Sequence, residues 1–376
     1  MVRNRRARMA SLVAVGALAF GALAACGDDS DGGSSSSSDN GSSAAASGKV
    51  GVILPDTTTS PRWEANDRPS LEAAFKSAGV DYDIQNANGD VDKFGTICDS
   101  MITEGVTVLM IVNLDSDSGS ACLSKAADAG IQSIDYDRLT LGGGASYYVS
   151  FDNVEVGRLM GTGLIDCLDA NNKTKANIIY INGDPSDNNA ALFKEGYAEA
   201  LKGKIDSGDY KLVGDQSGYW DADKAGKAFE QLYTQNGGKI DGVVSANDTM
   251  AGGIIARMQA QGVAGEIPVT GQDASTEGLQ NILLGYQCGT VYKNTDLEAD
   301  AASKLAIALI KGEDPSSLVT GTVTDTKTKE DVPSVLAKPV WITTENIKQV
   351  FDDGFAKAAD VCTGNVAAAC KKAGVS

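Results

Sequence analysis

The sequence predicts an α/β protein built as two doubly wound, parallel-sheet lobes, and three observations predict it. Short apolar or β-branched runs alternate with amphipathic stretches of helix length from Lys49 onward. The alternation restarts once, near Val154, as two lobes require. Polar residues of unusual specificity follow the strand-like runs in both halves, which is where open α/β sheets place ligands. The chain has 376 residues, enough for two domains of ordinary size.

The first series opens on a β-rich run at 50–54. Helical periodicity over 62–78 closes at Gly79, a residue suited to a left-handed helix end. A strand over 80–86 and a helix over 91–104 follow. The continuous apolar run 106–112 has the character of a strand buried on both faces. A helix over 118–129 closes at Gly130, and 131–135 is the next strand. The second series reads helix 154–168, strand 176–181, helix 189–201, strand 210–213, helix 221–235, strand 242–245, helix 249–261 and strand 267–270. Repeated units of this length imply parallel strands with right-handed crossovers.

Before this α/β part lies an address. Met1 to Arg8 is basic, and Met9 to Ala25 is apolar and rich in small residues. The two read as the first parts of a secretory signal, so 1–25 is expected to be removed. Leu23-Ala24-Ala25-Cys26 resembles the lipobox of bacterial lipoproteins, which makes the Cys26 thiol the expected site of lipidation. An uncleaved transmembrane anchor is the alternative, but the apolar run is short and ends at Cys26 followed by Gly27-Asp28-Asp29. Residues 26–48, rich in Ser and Gly, then form a solvated linker that cannot build a core. The expected place is the outer face of the cytoplasmic membrane, with the chain exported and acting as a monomer.

Six further cysteines remain: Cys98, Cys122, Cys167, Cys288, Cys362 and Cys370. An even number in an exported chain suggests disulfides, with many pairings open. The expected set is Cys98–Cys122, Cys362–Cys370 and, by elimination, Cys167–Cys288. Their spacing suggests no metal cluster, and nothing calls for a cofactor.

Histidine is absent, which removes Ser-His-Asp and Cys-His nucleophile arrangements and His-based zinc sites. A glycosidase working with two carboxyl groups stays possible in principle, but no pair stands out. The net charge is −18, and loss of Arg3, Arg5, Arg6 and Arg8 would make it more negative. That balance repels phosphate backbones, so nucleic acid is not an expected partner.

The strand-end segments are Asp56 to Trp63, Asp135-Tyr136-Asp137-Arg138, Asn182 to Asn189, Asn247-Asp248 and Gln272-Asp273. Singly, an Asp or Asn at a helix start is most simply an N-cap. Their recurrence at strand ends of both halves points to a ligand.

These stretches resemble a known family. Arg62-Trp63, Gln85–Asp90 (QNANGD), Asp135–Arg138 (DYDR), Tyr148–Gly157 (YVSFDNVEVG), Asn182–Ala190 (NGDPSDNNA), Ala246–Asp248, Ala251–Gly253, Gly271–Ala274 (GQDA) and Thr290–Lys293 (TVYK) are similar to motifs of the type I periplasmic sugar-binding proteins. The D-xylose-binding members share the most. The resemblance implies two Rossmann-like lobes joined by a three-crossing hinge. It divides the chain into 49–151 plus 294–338 and 152–293 plus 339–376. It further implies a monosaccharide ligand, D-xylose foremost, and delivery to an ABC permease and its ATPase subunit, with no enzymatic activity. Glucose or ribose, or a role beside a sugar-sensing chemoreceptor, are the alternatives.

The sugar contacts it implies are Arg62, Trp63, Asp137 and Arg138 in the first lobe. In the second they are Asp187, Asn189, Trp220, Asn247, Asp273 and Lys293. One departure is that Ser217 stands where the family carries the first of two tryptophans, leaving Trp220 alone. These residue types suit a pyranose: carboxylates accept from hydroxyls, Arg, Lys and Asn donate back, and a Trp can cover the C–H face.

Overall fold

The computed structural model describes residues 48–375. The expected signal peptide, Cys26 and nearly all of the linker lie outside the described residues. Strand β1 (Lys49–Leu54) lies next to one edge of a seven-stranded sheet. It pairs in parallel with β2 (Asp81–Asn86) on one side and β3 (Val108–Ile111) on the other. Strands β4 (Gln132–Tyr136) and β5 (Tyr147–Phe151) continue outward in parallel.

Helices cover both faces of this sheet. Leu71 and Phe75 of α1 (Arg68–Ala78) pack on one face beside Ala302 and Leu305 of α9 (Thr295–Lys311). Phe94 and Met101 of α2 (Val91–Thr103) pack on the other with Leu123 of α3 (Ser116–Asp128). Disulfide Cys98–Cys122 ties α2 to α3.

The second sheet system has α4 (Asn153–Ala170), β6 (Ala176–Asn182), α5 (Asn188–Asp206), β7 (Tyr210–Ser217), α6 (Ala222–Gln235), β8 (Gly242–Ser245) and α7 (Asp248–Gln261). Strands run β7-β6-β8, all parallel. A single bridge, Val243 to Val269, links them to a second trio: β9 (Thr270–Gln272), β10 (Gly289–Tyr292) and β13 (Val340–Ile342). Helices α4 and α5 approach so closely that a Cβ on Gly157 would sit 2.0 Å from the Phe193 carbonyl oxygen. Glycine is therefore required there by contact, not by backbone angle. Disulfide Cys167–Cys288 joins α4 to the turn before β10.

The chain passes between the two sheet systems three times: between β5 and β6, between β10 and β11 (Gly321–Thr324), and between β12 (Asp331–Ala337) and β13. A C-terminal cap of short helices packs Val361, Val366 and Cys370 against Leu279 and Ile282 of α8 (Thr276–Leu283) and is closed by Cys362–Cys370.

Three local readings shift. The strand expected at 267–270 begins only at Thr270, because Pro268 has no N–H to give a ladder. The helix expected over 62–78 opens as a π-helical turn, Trp63–Asp67, before α1 begins. Pro69 offers no N–H to the carbonyl of Ala65, so the α-register cannot run through. The sheets are also not purely parallel: β11–β12 and β10–β13 pair antiparallel at sheet edges. These edge strands and β5 are too short and mixed for periodicity to single them out. Among the described residues, no helix is long and apolar enough to cross a membrane.

Candidate functional site

The carboxyl ends of the strands in both sheet systems converge on one cleft with about 320 Å³ of empty space. All ten candidate residues line it: Arg62, Trp63, Asp137, Arg138, Asp187, Asn189, Trp220, Asn247, Asp273 and Lys293. Each follows a strand. Arg62 and Trp63 come after β1, Asp137 and Arg138 after β4, and Asp187 and Asn189 after β6. Trp220 comes after β7, Asn247 after β8, Asp273 after β9 and Lys293 after β10. Thr59, Ser60, Phe193 and Gln272 also line the cleft. Of these, Phe193 lies on α5 one turn beyond Asn189, where no strand-end rule would find it.

Arg62 anchors the first bank. Its Nη1 donates to Asp137 Oδ2 at 2.6 Å, and its Nε and Nη2 form a fork with Asp67 at 2.9 and 2.7 Å. Nη2 also donates to Glu298 Oε2 at 2.5 Å. Tyr136 donates its hydroxyl to Asp67 at 2.6 Å. Burial works against the Arg62 cation, but Asp67, Asp137 and Glu298 outweigh it and hold its pKa well above the usual range. The guanidinium lies 4.4 Å from the Trp63 ring, with that of Arg138 at 5.6 Å. Asp67 and Glu298 had no signal in the sequence, since each is a lone acid on a helical segment.

Asp137 is the hub. Lys293 Nζ donates to its Oδ2 at 3.3 Å, and Asn189 Nδ2 donates to its Oδ1 at 3.0 Å. Burial alone would raise its pKa; Lys293, Arg62 and Arg138 overcome that and hold the carboxyl well below its ordinary value. Its backbone is left-handed (φ 64°), a conformation that Asp tolerates better than most residues. Arg138 Nε lies 3.0 Å from Asp187 Oδ2 without the alignment of a hydrogen bond, so that pair is a charge contact. Arg138 Nη1 donates to the Asn113 carbonyl at 3.1 Å.

On the second bank, Ser60 Oγ reaches across to donate to Asp273 Oδ2 at 2.9 Å. Asn247 Nδ2 donates to the Thr59 carbonyl at 3.2 Å. Burial pushes the carboxyls of Asp187 and Asp273 upward, opposed by Arg138 for the first and by Lys293 and Arg62 for the second. Trp220 packs edge-on against Phe193 at 6.2 Å between centroids. Its Nε1, and Oε1 of Gln272, are buried with no protein partner among the described residues.

The arrangement thus offers donors, acceptors and aromatic faces around one narrow cleft, with Arg62, Lys293 and Arg138 each paired to a carboxylate and Asp273 held by the Ser60 hydroxyl. Among the described residues no group of three or more acidic, Cys or His side chains is placed to hold a metal ion.

A model of the periplasmic binding protein domain matches residues 50–314. The D-xylose-binding periplasmic protein of Escherichia coli is 36% identical over 315 residues, covering 83% of this chain and 92% of that protein. A multiple sugar-binding periplasmic receptor of Rhizobium radiobacter is 34% identical, covering 83% of this chain and 92% of the receptor. Among solved structures, a carbohydrate transporter solute-binding protein from Chloroflexus aurantiacus, in complex with D-glucose, superposes with a TM-score of 0.76. It is 29% identical, and the match covers 83% of this chain and 97% of that one.

Proposed function

We infer the ligand from one premise: the chain belongs to the family of periplasmic sugar-binding proteins that serve ABC importers. The ligand is a monosaccharide, D-xylose foremost. It is held between the two sheet systems and handed to a permease with its ATPase. The observation that carries this reading is the single small cleft in which Asp137, Arg62 and Lys293 meet Asp273, Asn189 and Trp220. A neutral, hydroxyl-rich ring can both donate and accept there without bringing a charge that needs compensation.

The sugar's differential affinity for the closed form drives closure. The lobes that close are 49–151 with 294–338 and 152–293 with 339–376. The Cys26 lipid holds them at the outer face of the membrane, and the linker gives reach. The D-xylose-binding relative supports a pentose. The D-glucose bound to the similar structure supports glucose as the second reading.

Calorimetry of the mature protein against D-xylose, D-glucose and D-ribose tests this, with D-xylose expected to bind tightest. No heat with any pentose or hexose overturns the reading. Replacing Asp273 by Ala removes an acceptor from a buried ionic cluster. It should weaken sugar binding by about 3 kcal/mol, on the order of the cost of breaking a buried pair. An unchanged Kd would remove Asp273 from the site.

A further inference from the structure

Helix α9 follows directly on one of the three passages between the sheet systems, and it begins two residues after Lys293. Lys293 enters the cleft to reach Asp137. One turn into α9, Glu298 reaches Arg62, another partner of Asp137, from behind. It is fully buried, and its Oε2 accepts from Arg62 Nη2. It is not among the residues that line the cleft. Among the described residues, its one side-chain hydrogen bond to a residue that lines the cleft is the one from Arg62. That guanidinium has five N–H groups: one bonds Glu298, two bond Asp67 and one bonds Asp137. The remaining N–H belongs to Nη1, the nitrogen already turned to Asp137.

We propose that Glu298 is a positioning residue for sugar binding: from the start of the hinge-crossing helix it fixes which edge of the Arg62 guanidinium faces the cleft. This rests on Arg62 being a sugar contact. Asp67 is its partner in the task, gripping the other edge. Orientation by two carboxylates leaves no rotational choice to Arg62, whose planar fork is rigid.

The groups facing Glu298 are Arg62 just before the π-helical turn and Asp67 at its end, Tyr136 and Asp137 from the end of β4, Tyr148 from β5 and Lys293 beyond β10. Burial raises the Glu298 carboxyl to about 8, against the pull of Arg62 and Lys293. Below that pH, Arg62 and Lys293 balance Asp67 and Asp137. Above it, the cluster carries one excess negative charge that pulls Arg62 away from the cleft. A neutral sugar desolvates the cluster further and favours the balanced form, so affinity falls as pH rises through Glu298's titration.

The test compares wild type with Glu298→Gln, which keeps an acceptor for Arg62 and cannot ionise. The wild-type Kd for D-xylose is expected to weaken about threefold to tenfold between pH 7 and 9, within the tenfold per pH unit that one proton allows. The Gln variant should stay flat and keep the tighter value. In the sugar-free protein, the Arg62 Nε–H resonance should shift with a midpoint near pH 8 in wild type and not in the variant. Asp67→Asn, a second and independent variant, should weaken binding without removing the pH response. If wild type binds no monosaccharide yet the resonance titrates, the ligand reading falls and the role in sugar binding falls with it, while the hold of Glu298 on the Arg62 guanidinium stands. A wild-type Kd and resonance that do not respond to pH, or that respond identically in the Gln variant, would overturn it.

Discussion

On the bank of the cleft built by β1 and β4, Arg62 and Asp137 are held by other side chains, Asp67, Glu298 and Lys293, with Tyr136 bonded to Asp67 behind them. On the bank built by β6 and β8, Asp187 and Asn247 also hold backbone. Asp187 caps α5 through the Asn189 N–H, and Asn247 caps α7 through the Met250 N–H. The first bank is a mutually compensated ionic cluster, costly to assemble and costly to break. The second draws its site residues from helix starts, where a polar residue already has a structural duty. Substitutions on the first bank should therefore act through unmatched charge. Those on the second should divide into a capping part and a binding part.

The largest effect should come from Asp137→Asn. Asn tolerates the left-handed backbone at this position and keeps the shape, so the loss isolates the charge. Arg62 and Lys293 would then share a buried site without their common carboxylate. The expected cost is about 3 kcal/mol or more in unfolding free energy, with a comparable loss of sugar affinity, as for a broken buried pair. Urea unfolding and calorimetry read the two. A variant as stable as wild type would dissolve the contrast between the banks.

The contrast also explains what could be read from sequence. Asp137-Arg138, Asp187, Asn247 and Asp273 were legible because a doubly wound sheet puts its ligand groups directly after strands, and those strands announce themselves as apolar runs. Asp67 and Glu298 were not, because a buried acid on a helix has the same local pattern as a solvated one. Only the fold brings 62, 67 and 298 together. Phe193 was hidden for the related reason that one aromatic on an amphipathic helix reads as core. The π-helical turn at Trp63–Asp67 and the antiparallel edge strands were missed because Pro69 and tertiary pairing, not periodicity, decide them.

A middle-sized effect separates the carboxyls that lie behind the two banks. Burial, with Asp273 adding, raises Asp248 from 3.8 to about 7 against hydrogen bonds from Gln287, Ser275 and Thr290. Burial likewise raises Asp135 from 3.8 to about 7 against its bonds from Thr140. An unfolded Asp titrates near ~3.9, so between about pH 4 and 7 the folded protein holds protons that the unfolded chain has released. Each group's stabilising contribution is present in full below the unfolded value and is lost as pH rises to the folded one. Asn stands in for the protonated form. The thermal midpoints of Asp248→Asn and Asp135→Asn should gain on wild type steadily from about pH 4 to 7 and hold constant above. A gap that does not change with pH would mean that both carboxyls are ionised throughout.

The smallest effect tests the double duty of the second bank at Asn247. Its Oδ1 accepts from the Met250 N–H at 2.9 Å, and its Nδ2 donates across the cleft to the Thr59 carbonyl at 3.2 Å. Asn247→Ala removes both; Asn247→Ser keeps a capping oxygen and removes only the amide. Thermal unfolding should therefore show a loss of about 1 kcal/mol for Ala that Ser largely restores. Sugar affinity should instead fall equally in the two, by about 0.5–1.5 kcal/mol, because the bond between the banks is absent from each. If Ser rescues affinity as well as stability, the amide contributes nothing to closure, and Asn247 belongs to helix α7 alone.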